Sequence, residues 1–241
     1  MIKIGKNILS FSKHSCRPTN KKELIVVINS IVSESRSDKC DLNEIDTSLI
    51  TDMSYLFNYA EFNGDISQWD TSNVNNMREM FANSNFNGDI SNWDVSNVKD
   101  MRNMFANSRF NKPIGDWNVS HVTNMSFMFR NTNFNQNISK WDVSKVIDMK
   151  HMFVWSRFNQ PIGNWDVSNV TDMSWMFFNS DFNQDISKWN VSNVGNISRM
   201  FEDSKFNKDI SNWKIRPDCA TYNTFFGCKI KEKYKPKSLQ N

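Results

Sequence analysis

The sequence predicts an α/β solenoid, a stack of seven 24-residue coils with short helices and short strands, because three columns of residues recur at one spacing. Tryptophan returns every 24 residues, isoleucine stands three residues before each tryptophan, and a phenylalanine column keeps the same interval. The tryptophans are Trp69, Trp93, Trp117, Trp141, Trp165, Trp189 and Trp213. A unit this short cannot bury its apolar face alone, so we expect neighbouring units to stack.

The coils, numbered here as repeats 1 to 7, occupy residues 53–220 without an insertion. Because an end coil lacks one neighbour, we expect caps at both ends of the stack. Apolar residues at helical spacing predict a helix over 20–32. The remaining segments are predicted as follows: a basic N-terminal segment at 1–19, a helical cap with a half-coil at 20–52, a C-terminal cap at 221–228 and a basic disordered tail at 229–241.

Each repeat opens with apolar residues at positions 1, 4 and 5, as Met149, Met152 and Phe153 do in repeat 5. This spacing marks one face of a short helix. An Asp or Asn such as Asp148 precedes every repeat, which suits a helix N-cap whose side-chain oxygen accepts backbone N–H groups. The rest of the repeat is rich in β-branched and aromatic residues and predicts short strands.

Composition and charge exclude several functional classes. No apolar run exceeds five residues, so neither a membrane span nor a secretory signal peptide is expected, and the cytoplasm is the default location. The formal net charge is +3, but residues 1–22 carry +6 and residues 229–241 carry +4, which leaves −7 on the segment between them. A specific nucleic-acid partner is not expected, because the repeats offer no continuous basic face.

We predict no catalytic residue, no metal site and no cofactor. The three histidines and four cysteines lack metal-ligand spacing, and no glycine-rich phosphate loop or nucleophile elbow is present. The column after each tryptophan is mostly Asp or Asn, but it becomes Lys214 in repeat 7, which favours turn capping over calcium binding. Cys219 and Cys228 are near enough in sequence to form a disulfide, although two free thiols fit equally well.

Invariant columns predict internal packing, whereas variable columns carry information about a partner. The tryptophan column therefore predicts a structural ladder, and the asparagine column from Asn63 to Asn207 predicts an internal amide ladder. Variable positions of repeats 4 to 6 place aromatic side chains on one surface, and such a patch often marks a binding site. The candidate partner-binding residues are Phe127, His151, Trp155, Trp175 and Phe178. Alternatively, these rings only pack against one another.

The repeat motif resembles that of the BspA-type leucine-rich-repeat surface proteins, a family widespread in mycoplasmas and other low-GC bacteria. The motif is clear in Asn169-Val-Thr-Asp-Met-Ser-Trp-Met-Phe and in Phe182-Asn-Gln-Asp-Ile-Ser-Lys-Trp-Asn-Val-Ser-Asn-Val. The resemblance covers residues 42–228. It implies a leucine-rich-repeat-like solenoid and, for some members, surface display and adhesion, and it carries no catalytic residues.

Together these features predict a right-handed, leucine-rich-repeat-like stack that binds a protein or glycan partner without catalysis. The alternative is a structural spacer without a dedicated ligand, whose coils associate weakly end to end if a cap opens. A monodisperse monomer in a light-scattering concentration series would disfavour the spacer.

Overall fold

A computed structural model describes residues 16–240, so residues 1–15 of the predicted basic N-terminal segment and Asn241 lie outside the described residues. Within this range the chain forms one α-helix, α1 (Lys21–Ser35), and two 3-10 helices, Glu232–Tyr234 and Lys237–Leu239. Parallel single-residue bridges join residues 24 apart: Asp41 to Asp65, Asp52 to Asn76, Asn76 to Asp100, Asp100 to Asn124, Asn124 to Asp148, Asp148 to Asp172, Asp172 to Asn196 and Asn196 to Ala220.

Helix α1 covers the N-terminal end of the stack. Its N-cap is Asn20, whose side chain accepts the Glu23 backbone N–H at 3.1 Å, and the following Arg36 is left-handed with φ of 50°. The sequence predicts this helix over 20–32, and the observed helix continues to Ser35. One face of α1 is buried with the first repeat through Leu24, Val27 and Ile28. This cap removes the apolar end of repeat 1 from water.

Backbone hydrogen bonds join each repeat to the next. In repeat 5, the N–H groups of four alternate residues donate over 2.9–3.0 Å to carbonyls of the next layer, which are those of Asp172 and of three residues of repeat 6. The donors are Met149, His151, Phe153 and Trp155. The same four positions donate at every junction, including the one between repeat 7 and the C-terminal cap. The bonds therefore leave the repeat, as in a parallel sheet, instead of closing within it.

The prediction of a short helix in each repeat is wrong, because consecutive tight turns occupy that segment. The Met152 N–H donates to the Met149 carbonyl at 3.2 Å, and the intervening His151 has φ of 57°. Positive φ at the third residue is characteristic of a type II turn and does not occur inside a right-handed helix. Two consecutive turns therefore direct the apolar residues at positions 1, 4 and 5 toward the core, as a helix would.

The Asp or Asn before each repeat satisfies a backbone donor, but in a turn and not at a helix N-cap. The Asp148 Oδ1 accepts the N–H of Lys150, two residues on, at 3.0 Å. This is the geometry of an Asx turn. The predicted short strands are likewise reduced to single-residue bridges, because the frequent turns leave no extended run within residues 16–240.

Three aromatic columns fill the core. Phe153 is fully buried, and its ring centroid lies 5.7 Å from those of Phe129 and Phe177 in the neighbouring repeats and 4.3 Å from that of Phe158. The seven tryptophans of the ladder are only 3–5% exposed. Each indole N–H donates to a carbonyl of the preceding layer, as Trp165 does to Ile138 at 3.2 Å. Burial of a tryptophan is favourable only when that N–H finds such an acceptor.

The asparagine column lies at the flank of the stack and not inside it. The Oδ1 of Asn87 accepts the backbone N–H of Asn111 at 2.9 Å, and the same bond recurs along the column. The residues are half-buried or exposed. The prediction that each of these side chains bonds to the neighbouring coil is therefore confirmed. The acceptor oxygen bonds to a backbone N–H and not to the next amide, and the column is not internal.

The structure describes the C-terminal segment as far as residue 240 and gives it two 3-10 helices, in the part of the chain for which the sequence predicts a disordered tail. Ile230 is 8% exposed, and the Ile210 N–H donates to the Tyr234 carbonyl at 2.9 Å. Tyr234 and Leu239 also pack against the core. These apolar side chains cover part of the last repeat, which would otherwise face water, and the lysines between them remain at the surface.

The four cysteines are free thiols. The Cys228 Sγ donates to the Phe206 carbonyl at 3.2 Å, and burial raises the pKa of this thiol. Of the two alternatives for Cys219 and Cys228, the structure therefore has the pair of unbridged thiols.

Candidate binding surface

Two columns of left-handed residues lie on one side of the stack, at positions 3 and 7 of each repeat. The first column comprises Tyr55, Glu79, Asn103, Phe127, His151, Trp175 and Arg199, and the second Tyr59, Asn83, Asn107, Asn131, Trp155, Asn179 and Asp203. Their φ angles lie between 47° and 60°, and every residue is exposed or half-buried. The turns thus direct the variable side chains away from the core.

Asparagine tolerates the left-handed conformation better than other residues with a side chain, which explains its recurrence in the second column. Repeats 2, 3, 4 and 6 have Asn at position 7, whereas repeat 5 has Trp155 with φ of 54°. A bulky ring in this conformation is locally unfavourable. The backbone conformation at position 7 therefore does not explain why repeat 5 has a tryptophan there.

The structure brings the five candidate residues together into one patch, called here the aromatic surface: Phe127, His151, Trp155, Trp175 and Phe178. Phe127 and His151 stack with ring centroids 4.4 Å apart, and His151 and Trp175 stack at 5.5 Å. The Phe178 ring lies 4.7 Å from that of Trp175 and 6.1 Å from that of Trp155. The patch is therefore continuous across repeats 4 to 6.

Two arginines that the sequence reasoning missed flank the aromatic surface. The Arg130 guanidinium lies 5.4 Å from the Trp155 ring centroid, and that of Arg199 lies 4.6 Å from the Trp175 ring centroid. Both distances fit cation–π contacts. The signal was present in the sequence, because Arg130 shares the variable column of Phe178 and Arg199 that of His151. A search for aromatic residues alone passed over both.

The rings of the aromatic surface differ in their exposure to solvent. Phe127, His151 and Trp175 are half-buried and cover one another's ring faces. Trp155 is instead 47% exposed, and its ring and that of Phe178 are steeply inclined to each other, at 66°. The accessible aromatic area is thus concentrated at Trp155, and the stacked rings hold its surroundings in place.

The position of His151 between two rings controls its charge. Burial, together with the nearby positive charge of Arg130, lowers the pKa of His151 to about 4, while Asp172 opposes the shift. His151 is therefore neutral at physiological pH. A neutral imidazole stacks between Phe127 and Trp175 without the cost of burying a charge.

Across residues 16–240 no group of three or more His, Cys, Asp or Glu side chains is placed to hold a metal ion. A cavity of about 420 Å³ lies between α1 and repeat 1, remote from the aromatic surface. Its lining is largely apolar and includes no histidine or cysteine. None of the helices in this part of the chain has the length and apolar character needed to cross a membrane.

The family described as "Mycoplasma protein of unknown function, DUF285" matches the chain over residues 27–136 and 130–236. The chain belongs to this family. No curated protein and no solved structure matches it. The second matched segment of this DUF285 chain contains four of the five residues of the aromatic surface, His151, Trp155, Trp175 and Phe178. The family description assigns no activity, and a function has to be argued from the surface itself.

Proposed function

We propose that this protein is a non-enzymatic binding protein, a right-handed leucine-rich-repeat-like solenoid that engages a protein or glycan partner through the aromatic surface. One observation carries the proposal: Trp155 is 47% exposed in a left-handed conformation that its column otherwise mainly gives to Asn. An exposed aromatic ring kept at a local conformational cost is typical of a functional site.

The composition of the aromatic surface suits binding. Tryptophan and arginine are enriched among the residues that dominate interface energies, and here Arg130 lies against Trp155 and Arg199 against Trp175. A flat ring face accommodates an apolar side chain or the apolar face of a sugar ring. Backbone bonds at every junction and ring stacking fix these side chains before a partner arrives, which reduces the entropy lost on binding.

The resemblance to BspA-type surface proteins supports an adhesin-like role at the cell surface. In such a role a rigid stack presents its binding patch at a distance from its point of attachment. This aspect is tested separately, by fractionating cells that express the protein and probing intact cells with an antibody. Surface labelling is the expected result, and protection of the protein until the cells are lysed would contradict it.

The binding test compares two variants in full-length, fluorescently labelled protein. Trp155→Asn combined with Trp175→Asn places a residue that both left-handed columns already accept, so we expect the fold to be retained. Tyr59→Asn is the matched control, because Tyr59 is 68% exposed at position 7 of repeat 1 and lies outside the aromatic surface. Each protein is applied to an array of glycans and to a panel of immobilised extracellular matrix proteins.

We expect the unmodified protein to bind at least one immobilised target. The double variant should bind that target at least about tenfold more weakly, as expected for loss of interface tryptophans, and Tyr59→Asn should bind normally. Absence of binding by the unmodified protein, or equal binding by the double variant, would refute the proposal.

The second candidate function is a structural spacer, which the identical hydrogen bonding at every junction favours. A spacer needs a stiff stack and no ligand. Light scattering over a concentration series distinguishes the two functions. A monodisperse monomer disfavours the spacer, and growth of the unmodified protein with concentration favours it.

A further inference from the structure

Within residues 16–240, the C-terminal end of the stack has backbone N–H groups that find no backbone acceptor. At each junction the N–H groups of positions 1, 3, 5 and 7 donate to the following layer. After repeat 7 these positions are Thr221, Asn223, Phe225 and Gly227, called here the C-terminal edge. None of their N–H groups has a backbone acceptor within residues 16–240. The edge therefore has the donor pattern of an internal junction but no further layer.

This edge offers donors without matching acceptors. The carbonyls of Ala220, Tyr222, Thr224 and Phe226 point back and accept from repeat 7. Those of Thr221, Asn223 and Phe225 accept from local turns. Two C-terminal edges therefore cannot pair with each other, because donors would face donors. Their complement is a row of carbonyls at the same spacing.

The N-terminal end of the same chain has that row. The carbonyls of Asp52, Ser54, Leu56 and Asn58, called here the N-terminal edge, stand at the positions that accept at every junction. No preceding repeat donates to them, and α1 lies at this end of the stack. The Lys21 ammonium donates to the Ser54 carbonyl at 3.0 Å, to the Ser54 hydroxyl at 2.7 Å and to Asp52 at 3.0 Å. The Lys21 ammonium thus takes the place of one of the N–H donors that a preceding repeat would supply.

The two edges are also complementary in charge. Residues 40–65, around the N-terminal edge, contain six acidic side chains and no lysine or arginine. Residues 214–240, at the other end, contain seven basic and two acidic side chains. The acidic end is partly neutralised within the chain, by Arg17 on Asp46 at 3.0 Å and by Lys21 on Asp52. The segment that includes α1 therefore supplies positive charge to the acidic end, as the basic C-terminal end of a second chain would.

The aromatic core would continue across such a contact. Phe225 is the last ring of the column that begins with Phe57, and it stacks on Phe201 at 5.8 Å. Its outer side is contacted by the Lys235 ammonium at 5.8 Å from the centroid. Tyr222 and Phe226 beside it are 65% and 64% exposed. A second chain whose Phe57 took the next place in the column would cover this apolar surface.

We propose that the C-terminal edge docks the N-terminal edge of a second copy of this chain, and that α1 is a removable cap that prevents the contact. The capped protein is then a monomer, and displacement of α1 permits head-to-tail association. Such a contact is heterologous and leaves a free edge at each end, so it propagates into chains. This inference does not rest on the aromatic surface, and Trp155→Asn with Trp175→Asn leaves the association unchanged.

Three full-length variants test it by size-exclusion chromatography with light scattering. The release variant, Lys21→Glu with Leu24→Asp, places charge where α1 contacts the stack. The edge variant, Tyr222→Asp with Phe226→Asp, adds carboxylates that repel the acidic N-terminal edge and changes only exposed residues. The combined variant carries all four substitutions, so its N-terminal edge can pair and its C-terminal edge cannot.

We expect the unmodified protein and the edge variant to be monomers, and the release variant to form species that grow with concentration. The combined variant should be a monomer by itself. It should form a 1:1 complex with the unmodified protein and none with the edge variant. Because the contact is charged, the dissociation constant of that complex should rise at least about tenfold between low and high salt.

Two outcomes would overturn the inference. Self-association of the combined variant would show indiscriminate contact through exposed apolar surface, and absence of the 1:1 complex would show that the edges do not pair. Near-ultraviolet circular dichroism of the tryptophan column reports whether the stack is intact. If the release variant loses that signal, Lys21→Ala is used in place of Lys21→Glu with Leu24→Asp, and the same mixtures are measured. The same two outcomes would then overturn the inference.

Discussion

Repeats 2 and 3 share their backbone with repeats 4 to 6 but differ at the surface. Positions 3 and 7 carry Glu79, Asn83, Asn103 and Asn107 in the first pair, where position 7 is hydrogen-bonded from repeat to repeat through Asn side chains. In repeats 4 to 6 the same positions carry most of the aromatic surface. The backbone bonds and core rings do not change. The framework therefore permits many side chains at these positions, and the backbone does not dictate which residue stands there.

The largest effect should come from the core of a repeat. Phe153→Ala removes a fully buried ring from a column stacked on both sides and should lower the free energy of unfolding by about 3–5 kcal/mol. Urea unfolding followed by tryptophan fluorescence measures it. Trp155→Asn, two residues away in the same repeat, is the control and should change far less. A similar loss of unfolding free energy in both variants would contradict the distinction between core residues, which hold the stack together, and surface residues, which do not.

The asparagine flank should show an intermediate effect. Asn87→Ala deletes the oxygen that accepts the Asn111 N–H at 2.9 Å and should cost about 1 kcal/mol of unfolding free energy, the typical net value of one hydrogen bond. Asn87→Asp keeps the acceptor and serves as the matched control in urea unfolding. A loss in Asn87→Asp as large as that in Asn87→Ala would contradict the assigned bond.

The stacked rings should make stability depend on pH. His151 has a pKa of about 4 in the folded protein, below the ordinary 6.5, so the unfolded chain takes up the proton first as the pH falls. Its contribution is constant above about pH 6.5 and becomes increasingly unfavourable down to about pH 4. His151→Asn should remove this part of the pH dependence of the unfolding free energy. An unchanged slope over that interval would contradict the burial of the imidazole.

The smallest effect should come from Trp155→Asn. Asn is the commonest residue at position 7, and it adopts the left-handed conformation at a lower cost than tryptophan does. The free energy of unfolding should therefore stay within about 0.5 kcal/mol of the unmodified value or rise by up to about 1 kcal/mol. Thermal unfolding with Asn131→Ala as the control measures it, and that control should be less stable than the unmodified protein. A clear loss in Trp155→Asn would mean that Trp155 supports the stack and is not reserved for a partner.

Much of the architecture was predictable from spacing alone. Residues 24 apart stack, α1 covers the first repeat, and the five candidate residues meet on one surface. The local conformation of the turn segment was not predictable, because Met149, Met152 and Phe153 satisfy a helical period and a pair of turns equally well. Hydrogen bonds between repeats settle that choice, and no single repeat contains them.

The sequence by itself determined which columns face inward. An apolar side chain repeated in every layer contacts the identical side chains above and below it when the layers stack, and this contact buries it. It also determined which positions are free to vary, and there the candidate surface was found. Only the tertiary structure decided that the backbone donors point to the next layer. That direction makes the two ends of the stack different. Carbonyl acceptors stand at the N-terminal end, and at the C-terminal end the N–H groups of positions 221, 223, 225 and 227 have no backbone acceptor within residues 16–240.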